Sequence, residues 1–281
     1  MTLAFEPLKP AIGAEVLGLD HAHALDDAEA AAVRDALDRF GVLIFRGLNA
    51  DDKGQVALSN AVAPVVSAYR GDPDEAPEFP EIFIVTLDPE INPSAPYLRA
   101  TVFWHIDGTT DEVPNMGSVL SARELPTEGG AATEFCNTYA AWEALPEGER
   151  RALEDLRIVH SLEHSQRLVT DSPDARQLAA WRMYPPRELP LVWTHRSGRR
   201  SLVLGATAAS VAGVDEPEGR ELIDRVQAWA TRPEFVYRHE WSVGDLVIWD
   251  NRGTMHRAAP YSATTRRIMH RTVLAGEETI V

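Results

Sequence analysis

Apolar residues along the chain fall into short runs separated by turn residues, and only a few stretches have helical spacing. Asp26–Phe40 places Val33, Leu37 and Phe40 on one face behind an aspartate that can cap a helix. Further helices are predicted over Asp51–Ala63, Ala140–Leu145, Glu147–Leu156 and Glu218–Thr231, the last with Leu222, Ile223, Val226 and Trp229 on one face. Strands are predicted over Gly41–Phe45, Glu81–Leu87, Ala100–Asp107, Met116–Arg123, Ala132–Cys136 and Arg157–Ser161. Others are Leu189–His195, Arg200–Leu204, Glu234–Trp241, Leu246–Trp249 and Thr265–Leu274. Turns at Ser197-Gly198 and Val243-Gly244-Asp245 read as hairpins. Many short strands with helices early or inserted predict a mainly β protein, a sandwich or barrel with flanking helices, in one domain over 1–281. The proline-rich segment Arg70–Pro96 is a long loop with one short strand, and loops of that length are usually functional.

Charge narrows the function. The chain has 27 basic and 43 acidic residues, a net charge of −16. Such a balance does not fit a nucleic-acid binder or a polybasic membrane-surface protein. A single cysteine, Cys136, excludes an internal disulfide and a cysteine zinc site, and reads as a small core residue. No apolar run reaches the roughly 18 residues of a spanning helix, and no secretory pattern opens the sequence, so a cytoplasmic protein is expected.

Within that acidic chain the chemistry is localised. His105-Ile106-Asp107 puts an imidazole and a carboxylate two residues apart. In a strand they share a face, with Trp104 and Ile106 on the other, and Gly108 ends the strand. One histidine and one carboxylate are two parts of a facial triad, which leaves positions open on Fe(II). The third ligand must come from afar, and His256 follows a strand and a polar turn. Eleven residues later comes Arg267, and four further Arg271. Parity puts Arg267, Met269 and Arg271 on one face of the last strand and Arg266, Ile268, His270 and Thr272 on the other. A buried face with two arginines demands anions. The other histidines read as structural or peripheral: His160 and His164 on one strand face, His195 exposed before its turn, His239 and His270 hydrogen-bonded in strands, His21 and His23 near the surface.

The spacing H-x-D, a distant H, then R after eleven and R after four more resembles the Fe(II)/2-oxoglutarate dioxygenases of the taurine and dichlorophenoxyacetate dioxygenase family. Further matching segments are Gly41–Gly47, Trp104–Asp107, Gly129–Cys136, Tyr139–Pro146 and Trp249–Arg257. The resemblance implies a double-stranded β-helix, a distorted jelly roll. It implies Fe(II) on His105, Asp107 and His256, with Arg267 and Thr133 on the distal carboxylate of 2-oxoglutarate and Arg271 on an anionic substrate. The reaction implied consumes O2, releases succinate and CO2, and hydroxylates a taurine-like sulfonate, an alkyl sulfate or an aryloxyalkanoate. Desaturation or rearrangement by a related oxidase, and a silent small-anion-binding jelly roll, are the alternatives. Asp107 speaks against a halogenating variant. Ala63–Arg70 lacks the histidine with which taurine enzymes hold the sulfonate, so Tyr69 or Arg70 is expected to substitute, and Phe103 is expected beside the substrate. The family also implies a homo-oligomer.

Overall fold

The computed structural model describes residues 3–20, 24–126, 132–261 and 266–281. His21, His23, Gly129–Ala131 and Thr265 lie outside them. The large sheet runs in the order Ala4–Pro7, Ala14–Leu17, Val42–Phe45, Leu246–Asp250, Gly117–Glu124, Ile268–Leu274, Val65–Val66, with Phe83–Val85 also paired to Ile268–Leu274. A smaller sheet has Thr133–Asn137 between Val236–His239 and Thr254–Ala258. The architecture is the expected mainly β jelly roll with flanking helices and no closed barrel.

The continuous apolar run Val42–Phe45 is explained by burial on both faces. Val42 and Ile44 join Leu120, Phe135, Val247, Trp249 and Met269 in one cluster, which includes residues of both sheets. Leu43 and Phe45 join Leu246, Ile248, Val33, Leu37 and Leu58 in another, under the helices. Asp27–Phe40 forms as the pattern requires. Asp26 caps it in a box with Glu29, and Gly41 ends it at φ 71°, a left-handed conformation that glycine adopts without penalty. Asp52–Val62 is capped by Asp51, and Glu216–Ala230 packs Ile223 and Val226 into a third cluster.

Two differences from the sequence reading have clear causes. The turn at Val243–Asp245 is not a hairpin, because Val236–His239 pairs in the small sheet and Leu246–Asp250 in the large one. Buried Asp245 fixes that crossover. Its carboxylate takes the backbone N–H groups of Gly47 and Ser242 and the Arg46 guanidinium, and lies 3.3 Å from His239 Nε2. The strand expected over Ala100–Asp107 is a 3-10 turn, Arg99–Val102, followed by one isolated bridge at His105. Pro96 sits in the first turn of a short helix, Ala95–Leu98, and the 3-10 turn continues it, with the Thr101 hydroxyl donating to the Leu98 carbonyl. Smaller corrections follow. Leu189–His195 splits between two sheets, as Arg187–Pro190 and Val192–Thr194. His164 lies on a helix, Leu162–Arg167. His195 is buried, with Nε2 2.8 Å from the Ser201 hydroxyl.

Candidate metal centre and anion pocket

His105 comes from the bridge rather than from a full strand. It exchanges both backbone hydrogen bonds with His256: His105 N–H to the His256 carbonyl at 3.0 Å, and His256 N–H to the His105 carbonyl at 2.9 Å. Trp104 and Ile106 are buried in the core, so His105 and Asp107 turn the other way. Gly205 crosses behind them. A Cβ there would stand 2.8 Å from the His105 Cα and from the Trp104 carbonyl oxygen, and φ is +111°. Only glycine allows that approach. Gly108, at φ +83°, redirects the chain after Asp107.

The three side chains converge. Ligand atoms of His105, Asp107 and His256 lie within 4.8 Å of one another. Nε2 of His105 is 3.9 Å from Asp107 Oδ1, and Nε2 of His256 is 3.9 Å from Oδ2. Two ligands each about 2.1 Å from a cation can span such a distance. His105 Nδ1 is 2.8 Å from the Phe103 carbonyl, which can only accept, so Nδ1 carries the proton and Nε2 faces the triad with its lone pair. The His256 ring is held between Phe135 and Trp249. Burial and the neighbouring His105 hold its pKa well below the usual histidine value, so it is neutral as a metal ligand requires. Burial pushes the Asp107 carboxyl up, but the Arg271 guanidinium, and after it the Ser118 hydroxyl, act against that, and its pKa stays below the ordinary carboxylate value. The donor set fits a divalent cation with a mixed nitrogen and oxygen preference.

The arginines divide by their partners. Arg257 pairs with Glu134 and Arg266 with Glu124. Arg267 is only 3 % exposed, and among the described residues no carboxylate pairs with it. It faces the Tyr261 ring at 5.0 Å, and its Nε has no hydrogen-bond partner. Thr133 is buried, its hydroxyl accepting from Trp241 Nε1 at 2.9 Å. Arg271 reaches Asp107 Oδ2 at 3.3 Å and lies over Phe83. On the opposite face of the same strand His270 contacts Asp52 at 2.6 Å and Thr272 contacts Ser59.

Two adjoining cavities open on the triad. The inner one, about 130 Å³, is lined by His105, Asp107, Arg271, Tyr97, Gln166 and Thr207, among others. The outer one, about 1000 Å³, shares Asp107, Arg271, Tyr97 and Gln166 and adds Arg70, Arg99, Arg176 and Trp181. Tyr69 and Phe103 are not among the lining residues of either. Tyr97 and Gln166 escaped the sequence reading, because no motif marks them and both lie on short helices that it did not predict. The long-loop signal at Arg70–Pro96 was the one pointer to this wall.

Residues 4–273 match the family described as "Taurine catabolism dioxygenase TauD, TfdA family". The chain belongs to this dioxygenase family. It is 35% identical to the alpha-ketoglutarate-dependent 2,4-dichlorophenoxyacetate dioxygenase of Cupriavidus pinatubonensis, over 96% of this chain and 97% of that one. It is 32% identical to the alpha-ketoglutarate-dependent sulfate ester dioxygenase of Pseudomonas putida, over 99% and 91%. Among solved structures it is similar to AAD-2 in complex with Mn(II) and N-oxalylglycine, with a TM-score of 0.82, 32% identity and complete coverage of both chains. This TauD/TfdA-family dioxygenase has, among the described residues, no helix long and apolar enough to cross a membrane.

Proposed function

We propose that this enzyme is an Fe(II)- and 2-oxoglutarate-dependent dioxygenase that hydroxylates a small organic anion and releases succinate and CO2. The observation that carries the reading is the convergence of His105, Asp107 and His256, with Arg271 beside Asp107 on the cavity wall. His105, Asp107 and His256 would hold Fe(II) and leave the remaining positions to 2-oxoglutarate and O2. When bound, the iron supplies the oxidising chemistry that couples decarboxylation of 2-oxoglutarate to attack on a C–H bond.

The chain's own residues do the rest. Arg267 is the expected partner of the distal carboxylate of 2-oxoglutarate, because a buried guanidinium without a carboxylate is costly and an anion offsets it. Thr133 is the second expected partner of that carboxylate. Arg271, beside Asp107, is the expected partner of the substrate's anionic group and would so aim one C–H bond at the metal position. The aromatic packing of Phe135 and Trp249 fixes the His256 ring, while His105 and Asp107 face the cavities from which a substrate would approach. Aryloxyalkanoates and sulfate esters are the substrate classes named for the relatives, and both carry the anion that Arg271 requires. The match over residues 4–273 supports a single domain.

Anaerobic addition of Fe(II) and 2-oxoglutarate should give a weak visible charge-transfer band, and a panel of aryloxyacetates and alkyl sulfates should give succinate in air. Absence of both the band and 2-oxoglutarate consumption in folded protein refutes the reading.

A further inference from the structure

Most arginines of this acidic chain meet a carboxylate. Arg46, Arg123, Arg157, Arg225, Arg238 and Arg257 are examples. Arg99 and Arg176 are exceptions. Both are exposed, both line the outer cavity, and among the described residues neither has a carboxylate within salt-bridge distance. Arg176 sits in the first turn of the helix Ala175–Arg182, where the helix end carries partial positive charge and disfavours a cation. The helix therefore gains nothing from it electrostatically.

The lining of the outer cavity holds four arginines, Arg70, Arg99, Arg176 and Arg271, against three aspartates, Asp107, Asp111 and Asp174. That is a local +1 in a chain of −16. The aspartates are partly engaged: Asp107 faces Arg271, and Asp174 accepts the Gln177 backbone N–H as a helix cap. At about 1000 Å³ the cavity is also at the upper end of the roughly 300–1,000 Å³ that drug-sized ligands fill, far more than one small anion needs.

We propose that Arg99 and Arg176 form an outer anion subsite, and that the substrate is an elongated dianion. One anionic group sits on Arg271 beside the triad. A second carboxylate, sulfonate or phosphate, several bonds from the reacting carbon, sits on Arg99 and Arg176. The inference rests on the reading of Arg271 as the substrate arginine, and it adds that charge at the far end of the molecule sets specificity.

The test uses two probes on one scaffold, phenoxyacetate and 4-carboxyphenoxyacetate. Each is titrated calorimetrically into the full chain loaded with Mn(II) and 2-oxoglutarate, at low and high salt. Wild-type protein is compared with the Arg99→Gln/Arg176→Gln double variant, whose 2-oxoglutarate-dependent rise in Tm shows that it is folded. The dianion should bind the wild type about tenfold tighter than the monoanion, on the scale of one charge-assisted hydrogen bond. The double variant should bring the ratio close to one. No preference in the wild type, or a preference unchanged in the variant, overturns the proposal. So does equal weakening of both probes that vanishes at high salt, which marks long-range steering alone. Succinate release is scored separately in the Fe(II) enzyme. Selective dianion binding with neither the charge-transfer band nor any 2-oxoglutarate consumption leaves the subsite standing and sinks the dioxygenase reading; succinate without dianion selectivity does the reverse.

Discussion

Replacing Arg267 by methionine should make the ligand-free protein more stable and deaf to 2-oxoglutarate. The guanidinium is 3 % exposed, has no carboxylate partner among the described residues, and leaves Nε without a hydrogen bond. Exchanging buried charged groups for apolar ones of similar volume stabilises by about 1–4 kcal/mol in cases where the charge is poorly compensated. Against this stands the contact with the Tyr261 ring, a cation–π interaction of about 0.5–2 kcal/mol. The net expectation is a gain of about 1–2 kcal/mol. At about 2 °C per kcal/mol for a chain of this size, that is a rise in Tm of roughly 2–4 °C. In the wild type, 2-oxoglutarate at a hundred times its Kd should add about 2.7 kcal/mol, or roughly 5 °C. Differential scanning fluorimetry with and without 2-oxoglutarate reads both quantities. A variant that melts lower than wild type and still shifts with 2-oxoglutarate would refute the reasoning, since Arg267 would then be a structural cation with its own partner.

Three further outcomes are expected. Gly205→Ala pushes a methyl group against the backbone of Trp104 and His105, so Mn(II) affinity measured by electron paramagnetic resonance should fall about tenfold or more while the far-UV spectrum is kept; unchanged affinity would show that Gly205 does not position His105. For Asp245, burial raises the carboxyl pKa, but the His239 imidazole 3.3 Å away, the Gly47 and Ser242 amides and Arg46 outweigh it and hold it at about 2, below its ordinary 3.8. A depressed carboxyl stabilises the folded state above its unfolded pKa and loses that contribution as pH falls through the folded one, so Asp245→Asn should cost about 2 kcal/mol at pH 7 in urea unfolding and progressively less between about pH 4 and pH 2; a cost independent of pH would contradict the assignment. The dianion preference, finally, should follow Arg99 and Arg176 rather than Arg70, which stands near Asp111.

The sequence was most informative where one local signal sufficed. Asp26 marks a helix start by its own chemistry, and the structure follows it within a residue, whereas Gly41, read as the head of a strand, is the left-handed cap that ends the helix. The pair His105 and Asp107 was legible from spacing, yet the supporting strand was not there. Burial of Trp104 and Ile106 alone orients the pair, and two backbone hydrogen bonds to His256 replace a ladder. The crossover at Val243–Asp245 was misread because a tight turn looks the same whether its strands pair or part. What decides it is buried Asp245, whose partners Arg46 and Gly47 are some two hundred residues away in sequence. The burial of His195 is not legible from its place before a turn, because Tyr139, from a distant helix, packs over it beside Trp193 and Ser201 of its own hairpin. The cavity walls were the least legible, since Tyr97 and Gln166 become neighbours only when two short helices meet, a Gln166 Nε2 to Tyr97 carbonyl contact of 3.5 Å.

The reciprocal hydrogen bonds between His105 and His256 have a kinetic consequence. Two histidines of the triad are clasped through the main chain, which fixes the separation of their backbones. Parting those backbones requires both hydrogen bonds to be broken. The bridge is isolated, so a single local opening, well short of global unfolding, should expose the amides at positions 105 and 256 to exchange together.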